Sequence, residues 1–161
     1  MRASVRLLLF LTLLTSTGCG PTVDLAKGLA VDITSTGWYD LGIVNGQNKL
    51  VPTVTFTLRN TSEQKLVTLQ INALFRRLSE NTEWGSGFVT VVGSQGLAPG
   101  ATTDPVTIRS QLGYTGSDQS RQEMLQNSQF VDAKVEVFAK YGSTQWVKVG
   151  AFPITRQLMT K

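Results

Sequence analysis

The stretch Leu50-Val51-Pro52-Thr53-Val54-Thr55-Phe56-Thr57-Leu58-Arg59-Asn60 decides the fold class of this chain. Leu50, Pro52, Val54, Phe56 and Leu58 fall on one face, while Thr53, Thr55, Thr57 and Arg59 fall on the other, the period-two pattern of a half-buried strand. Pro52 has no N–H to give to a ladder, which places it at the strand's start or on a sheet edge.

The same period recurs on both sides of this stretch. Leu29, Val31 and Ile33 alternate with Ala30, Asp32 and Thr34 in a first strand that ends near Gly37. After the turn Asn60-Thr61-Ser62-Glu63-Gln64, a third strand carries Val67, Leu69, Ile71, Ala73 and Phe75 inward, which sends Leu66 and Leu74 outward. Gly85-Ser86-Gly87 reads as a flexible step before a fourth strand, Phe88 to Val92. Leu97-Ala98-Pro99-Gly100 makes a turn, and Val106 to Arg109 a fifth strand. Ser120 and Glu123 have capping-box spacing ahead of Met124-Leu125, which predicts a short helix over about residues 119–127. Val131, Ala133, Val135, Val137 and Ala139 define a sixth strand, and residues 146–154 a seventh, joined by a hairpin at 141–144. The expected fold is all-β: a single antiparallel immunoglobulin/fibronectin-like β-sandwich of about seven strands with one short helix, a closed small barrel being the alternative.

The N-terminus carries Arg2 and Arg6, then the apolar run Leu7 to Leu14, then the small residues Thr15-Ser16-Thr17-Gly18, the layout of a secretory signal peptide. The apolar run is far shorter than the roughly 20 residues of a membrane-spanning helix. Ser16-Thr17-Gly18-Cys19 resembles the lipobox of bacterial lipoproteins, with Ser16 where that pattern usually carries Leu. The resemblance implies cleavage before Cys19, acylation of its thiol and attachment of the chain to a membrane. Gly20 rather than Asp after the cysteine implies, by the same likeness, the periplasmic face of the outer membrane and not the inner membrane. A soluble secreted protein with a free thiol is the alternative, since small residues also suit ordinary signal peptidase. The expected organisation is therefore a signal peptide over 1–18, a lipidated tether over 19–28 and the sandwich over 29–158.

Charge and composition exclude several functions. The full chain of 161 residues has a formal net charge of +4, but without Arg2 and Arg6 the remaining 13 basic and 11 acidic side chains leave +2. No basic stripe exists to replace nucleic-acid counterions, so no nucleic-acid partner is expected. There is no histidine and one cysteine. That removes Ser-His-Asp and Cys-His nucleophiles and imidazole or multi-thiolate zinc sites, and no calcium-loop string occurs. Glu80 and Glu83 read as solvated loop charges and not as an acid/base pair. The expectation is a non-enzymatic protein with no catalytic residues, no metal and no cofactor.

Val54-Thr55-Phe56-Thr57-Leu58-Arg59-Asn60-Thr61-Ser62, then Val67 to Leu74, then Leu97-Ala98-Pro99-Gly100, resembles the FxLYD-type β-sandwich domains of bacterial envelope proteins over about residues 50–110. The Phe-x-Leu-Tyr-Asp signature is replaced by Ala73-Leu74-Phe75-Arg76-Arg77. The resemblance implies fold and envelope location more than any activity.

Apolar residues out of phase supply the candidate site. Leu74 on the third strand, Phe138 on the sixth, and Trp146 and Phe152 on the seventh point away from the inner face, and those strands are neighbours in immunoglobulin topology. Together they predict either an exposed patch for an envelope protein partner or a face covered by segment 113–128 or by the N-terminal tether. An alternative function, binding of a small apolar or glycan ligand, would use Trp38, Tyr39 and Trp84 as loop aromatics on a rim.

Overall fold

The structure, a computed structural model, describes residues 21–159, so the expected leader and Cys19 lie outside the described residues. Within them the chain forms α1 (Leu25–Gly28), β1 (Leu29–Val44), β2 (Gln47–Asn60), β3 (Leu69–Arg77), β4 (Glu83–Val92), β5 (Val106–Arg109), β6 (Tyr114–Gly116), α2 (Arg121–Gln126), β7 (Ala133–Tyr141), β8 (Val147–Pro153) and β9 (Leu158–Met159). One sheet has the order β5-β2-β1-β9 with β6 also paired to β2, and the other the order β4-β3-β7-β8. Every ladder is antiparallel except the two-residue pairing of β1 with β9. The chain is a β-sandwich of immunoglobulin/fibronectin-like architecture.

Its core is the one that alternation predicts. Leu50, Val54, Phe56 and Leu58 of β2 are fully buried, as are Ile71, Ala73 and Phe75 of β3 and Val135, Val137 and Ala139 of β7. Inner side chains of two sheets interdigitate in this way, and their removal from water is the main stabilising term. Asn60 ties two turns to this core: its Nδ2 donates to the Gln64 and Leu97 carbonyls at 2.8 and 2.9 Å, and its Oδ1 accepts from the Ser62 amide at 3.0 Å. The helix forms with its capping box, Ser120 Oγ accepting from the Glu123 amide and the Glu123 carboxylate from the Ser120 amide. It inserts Met124 and Leu125 into the core.

Several expectations are corrected. β1 does not end near Gly37 but runs to Val44, where Asn45-Gly46, both at positive φ, forms a two-residue hairpin turn into β2. Pro52 lies mid-strand in an interior strand, and not at a start or edge. Its carbonyl, accepting from the Ser110 amide, faces the gap between β5 and β6, and its missing donor faces the same gap, where no ladder needs it. Leu66 is buried and Val67 39% exposed, the reverse of the expected phase, because Thr68 adopts φ 50° and resets the alternation before β3 begins. Gly85 and Gly87 belong to β4 and are not a flexible step; a Cβ on Gly87 would strike Ile108 Cγ2, so the glycine lets β5 pack directly beneath.

Residues 25–28, expected within the tether, form α1 instead, capped by Asp24 and sealed to the core through Leu25. Gln64 Nε2 donates to the Pro21 carbonyl and the Val23 amide to Tyr141 Oη, so the chain is engaged from residue 21 onward.

Candidate interaction face

The outer face of the β4-β3-β7-β8 sheet is built by residues one step out of phase with the core. Register places Phe88, Asn72, Phe138 and Lys148 in one cross-strand row, and Ser86, Leu74, Glu136 and Ala151 in the next. Phe88 is 61% exposed and Trp146, just before β8, is 39% exposed. Their rings meet edge to face at 6.1 Å, and Lys140 Nζ lies 5.2 Å from the Trp146 centroid. Leu74 and Phe138 lie half-buried in the same rows. Uncovered apolar rings among polar neighbours are the usual make-up of an interface core, whose rim stays polar.

Charge is organised beside these rings. Glu136 accepts from Lys148 Nζ at 2.7 Å and from Arg76 Nε at 2.8 Å, its side chain only 13% exposed. The bond from Lys148, then that from Arg76, holds its carboxyl below the ordinary glutamate range, outweighing desolvation. Asp132 is lowered likewise by its two-pronged bond to Arg156, which also donates to the Leu125 and Phe130 carbonyls and pins α2 to the C-terminal segment. Lowered carboxylate values stabilise the fold above the unfolded-chain value, near 4, and that contribution is lost as pH falls through the lowered folded value. The urea midpoint is therefore expected to hold between about pH 6 and 5 and to fall below about pH 4. Glu136→Gln should make that acid limb shallower; an unchanged limb in the variant would contradict the assignment.

The structure brings Leu74, Phe138 and Trp146 to one face, as the phase argument predicts. Phe152 is not among them. The β7–β8 ladder shifts register between Val137 and Phe138, leaving Val149 as an extra residue, so Phe152 pairs with buried Val135 and packs on the core while Ala151 turns outward. Phe88 takes part in its place; its alternation with inward Val89 was the available signal, since Phe88 pairs with outward Asn72. Among the described residues, neither segment expected as a cover pairs with β4. Tyr114 to Gly116 pairs with β2 in the other sheet, and α1 packs against β1 and β8 at the sandwich margin.

The three rim aromatics do not converge. Trp38 lies in β1 and is completely buried, its ring 4.5 Å from Phe130 and 5.9 Å from Trp84. Trp84 lies in β4, under Arg77 and against Trp38. Tyr39 points to the opposite face of β1 from Trp38, with the Arg109 guanidinium 3.6 Å from its ring centroid. The three rings are core, lining and stacked surface, not one concave rim. The reason is the length of β1, which converts an expected loop into alternating strand positions.

No protein-family model matches the chain, and no curated protein does. Among solved structures, it is similar to Northeast Structural Genomics Consortium target SoR45, at 12% identity over 81% of this chain and 88% of that one, with a TM-score of 0.46. It is also similar to the ligand-binding region of Serine-glutamate repeat protein A (SgrA) of Enterococcus faecium, at 11% identity over 74% of this chain and 86% of that one, with a TM-score of 0.29. Neither similarity is high enough to bear on function, and the fold assignment rests on the sheet order above.

Proposed function

We propose that this chain is a non-enzymatic envelope lipoprotein that holds a protein partner on the outer face of its β4-β3-β7-β8 sheet. The observation that carries the reading is the uncovered aromatic pair Phe88 and Trp146, continuous with Leu74 and Phe138 on a face that no described segment covers. Large aromatic rings are over-represented where binding energy concentrates, and flanking Lys140, Lys148 and Arg76 supply a polar rim. The lipobox-like Ser16 to Cys19 supports tethering, and the FxLYD-type resemblance over residues 50–110 supports an envelope location.

Two experiments test the two halves. Substituting Phe88→Ser together with Phe138→Ser should reduce capture of cross-linked envelope partners at least about tenfold, since each truncated anchor typically costs more than 1 kcal/mol. Thermal unfolding should remain cooperative in the variant, and undiminished capture would defeat the interaction face. Separately, radiolabelled palmitate should enter the wild-type chain but not Cys19→Ser, which should also leave the membrane fraction. Equal labelling of both would remove the lipid anchor from the reading.

A further inference from the structure

The edges of this sandwich are unequally protected. Edge strands carry unpaired N–H and C=O groups, and proteins commonly guard them with charge, proline, bulges or shortness. β8 has Lys148, a bulge and Pro153; β5 is four residues long, with Pro105 before it and Arg109 at its end; β6 and β9 have three and two residues. Between Ser86 and Val92 β4 has neither charge nor proline, a run of Ser-Gly-Phe-Val-Thr-Val-Val, and its one irregularity there, the extra residue Val91 opposite the Leu69–Gln70 step, leaves Ser86 to Thr90 as a regular edge. Among the described residues its backbone bonds only to β3.

The space beside this edge is shaped for a strand. On the outer side stands Phe88, and on the inner side a cleft of about 520 Å³ opens between β4 and segment 102–107, with Val89, Val91 and Val106 in its walls. We propose that the free edge of β4 accepts an extended, uncharged or basic segment of a partner protein as an added antiparallel or parallel strand. The proposal rests on the protein-binding reading above and specifies its geometry. Alternate side chains of such a strand fall on opposite faces, one set beside Phe88 and the other into the cleft, while the backbone satisfies the edge. Asp104 on the cleft wall is exposed and makes no ion pair among the described residues, so the site favours a segment ending in lysine or arginine over an acidic one. A second copy of this chain fits less well, because the inward Val89 of its own β4 packs against its own core and cannot enter the cleft.

The probe is a labelled eight-residue peptide of alternating threonine and valine with a lysine at each end, titrated against the intact chain in detergent. Binding should raise amide protection of residues 86–92 in hydrogen exchange and leave β8 unchanged. Two N-methylated versions separate a ladder from simple side-chain contact. Methyl groups on one edge of the peptide should weaken binding at least about tenfold, and methyl groups on the other edge should not. Equal binding of both versions, protection at β8 instead, or no binding at millimolar peptide would overturn the proposal, as would a β4-protected dimer in the absence of peptide. Capture by a Leu74→Ser, Phe138→Ser variant, whose substitutions lie on β3 and β7 and leave the β4 edge intact, reads the face alone, so loss of capture there without any peptide ladder would retain the interaction face and reject the added strand.

Discussion

Replacing Trp38 with alanine is expected to destabilise the domain by about 3–5 kcal/mol, the usual cost of deleting a buried tryptophan or phenylalanine ring. The indole is completely buried between Phe130 and Trp84, and its removal would leave a cavity under β4 that β1, locked between β2 and β9, cannot close. Trp38→Phe should cost less than half as much. The indole Nε1 has no hydrogen-bond partner among the described residues, so phenylalanine deletes an unsatisfied donor together with the lost volume. Urea unfolding followed by far-UV circular dichroism measures both variants. A loss below about 1 kcal/mol for Trp38→Ala would place the ring at the surface and restore the ligand-rim reading of Trp38, Tyr39 and Trp84.

Asn60→Ala should cost about 1–3 kcal/mol, although it removes only a small side chain. Asn60 is completely buried and satisfies the Gln64 and Leu97 carbonyls and the Ser62 amide and hydroxyl. Truncation takes the acceptor from the Ser62 amide and one of two donors from each carbonyl, the Leu97 oxygen keeping the Leu66 amide and the Gln64 oxygen the Ser62 hydroxyl, and a buried group left without a partner costs roughly 1–3 kcal/mol, partly recovered by water. Asn60→Asp is the sharper test. It keeps the acceptor for Ser62 but aims an ionised oxygen at two carbonyls, so at neutral pH it should be less stable than Asn60→Ala. Burial against those carbonyls raises the carboxyl's folded value, so the deficit should shrink as pH falls and the protonated group can donate. Identical stability of the two variants across pH would show that the Asn60 network does not hold the turns together.

The alternation of residues 50–60 and of the stretches that became β3 and β7 predicted the sandwich because each records a local fact, which side of a strand meets water. The same periodicity located Leu74 and Phe138 on the outer face, and the spacing of Ser120 and Glu123 located the helix. The dipeptide Asn45-Gly46 suits positive φ at both positions and so carries a hairpin signal, but Gly37, a residue that often ends strands, stands ahead of it. An end at Gly37 makes Trp38 and Tyr39 loop aromatics, whereas the hairpin at Asn45-Gly46 makes them strand residues.

Chain chemistry read one segment at a time is enough to establish a strand-dominated protein, most of its buried faces and its lack of histidine. Where the phase slips, and what covers each face, is settled between segments that are distant in the chain. Phe152 turned inward because β8 gains one residue against β7, Leu66 because Thr68 adopts a left-handed conformation beside Gly93, and Pro52 was tolerated because β5 and β6 leave a gap opposite it. A bulge shifts every later side chain to the other face at little local cost, so its position is selected by the fit of the partner strand and leaves almost no trace in the strand that carries it.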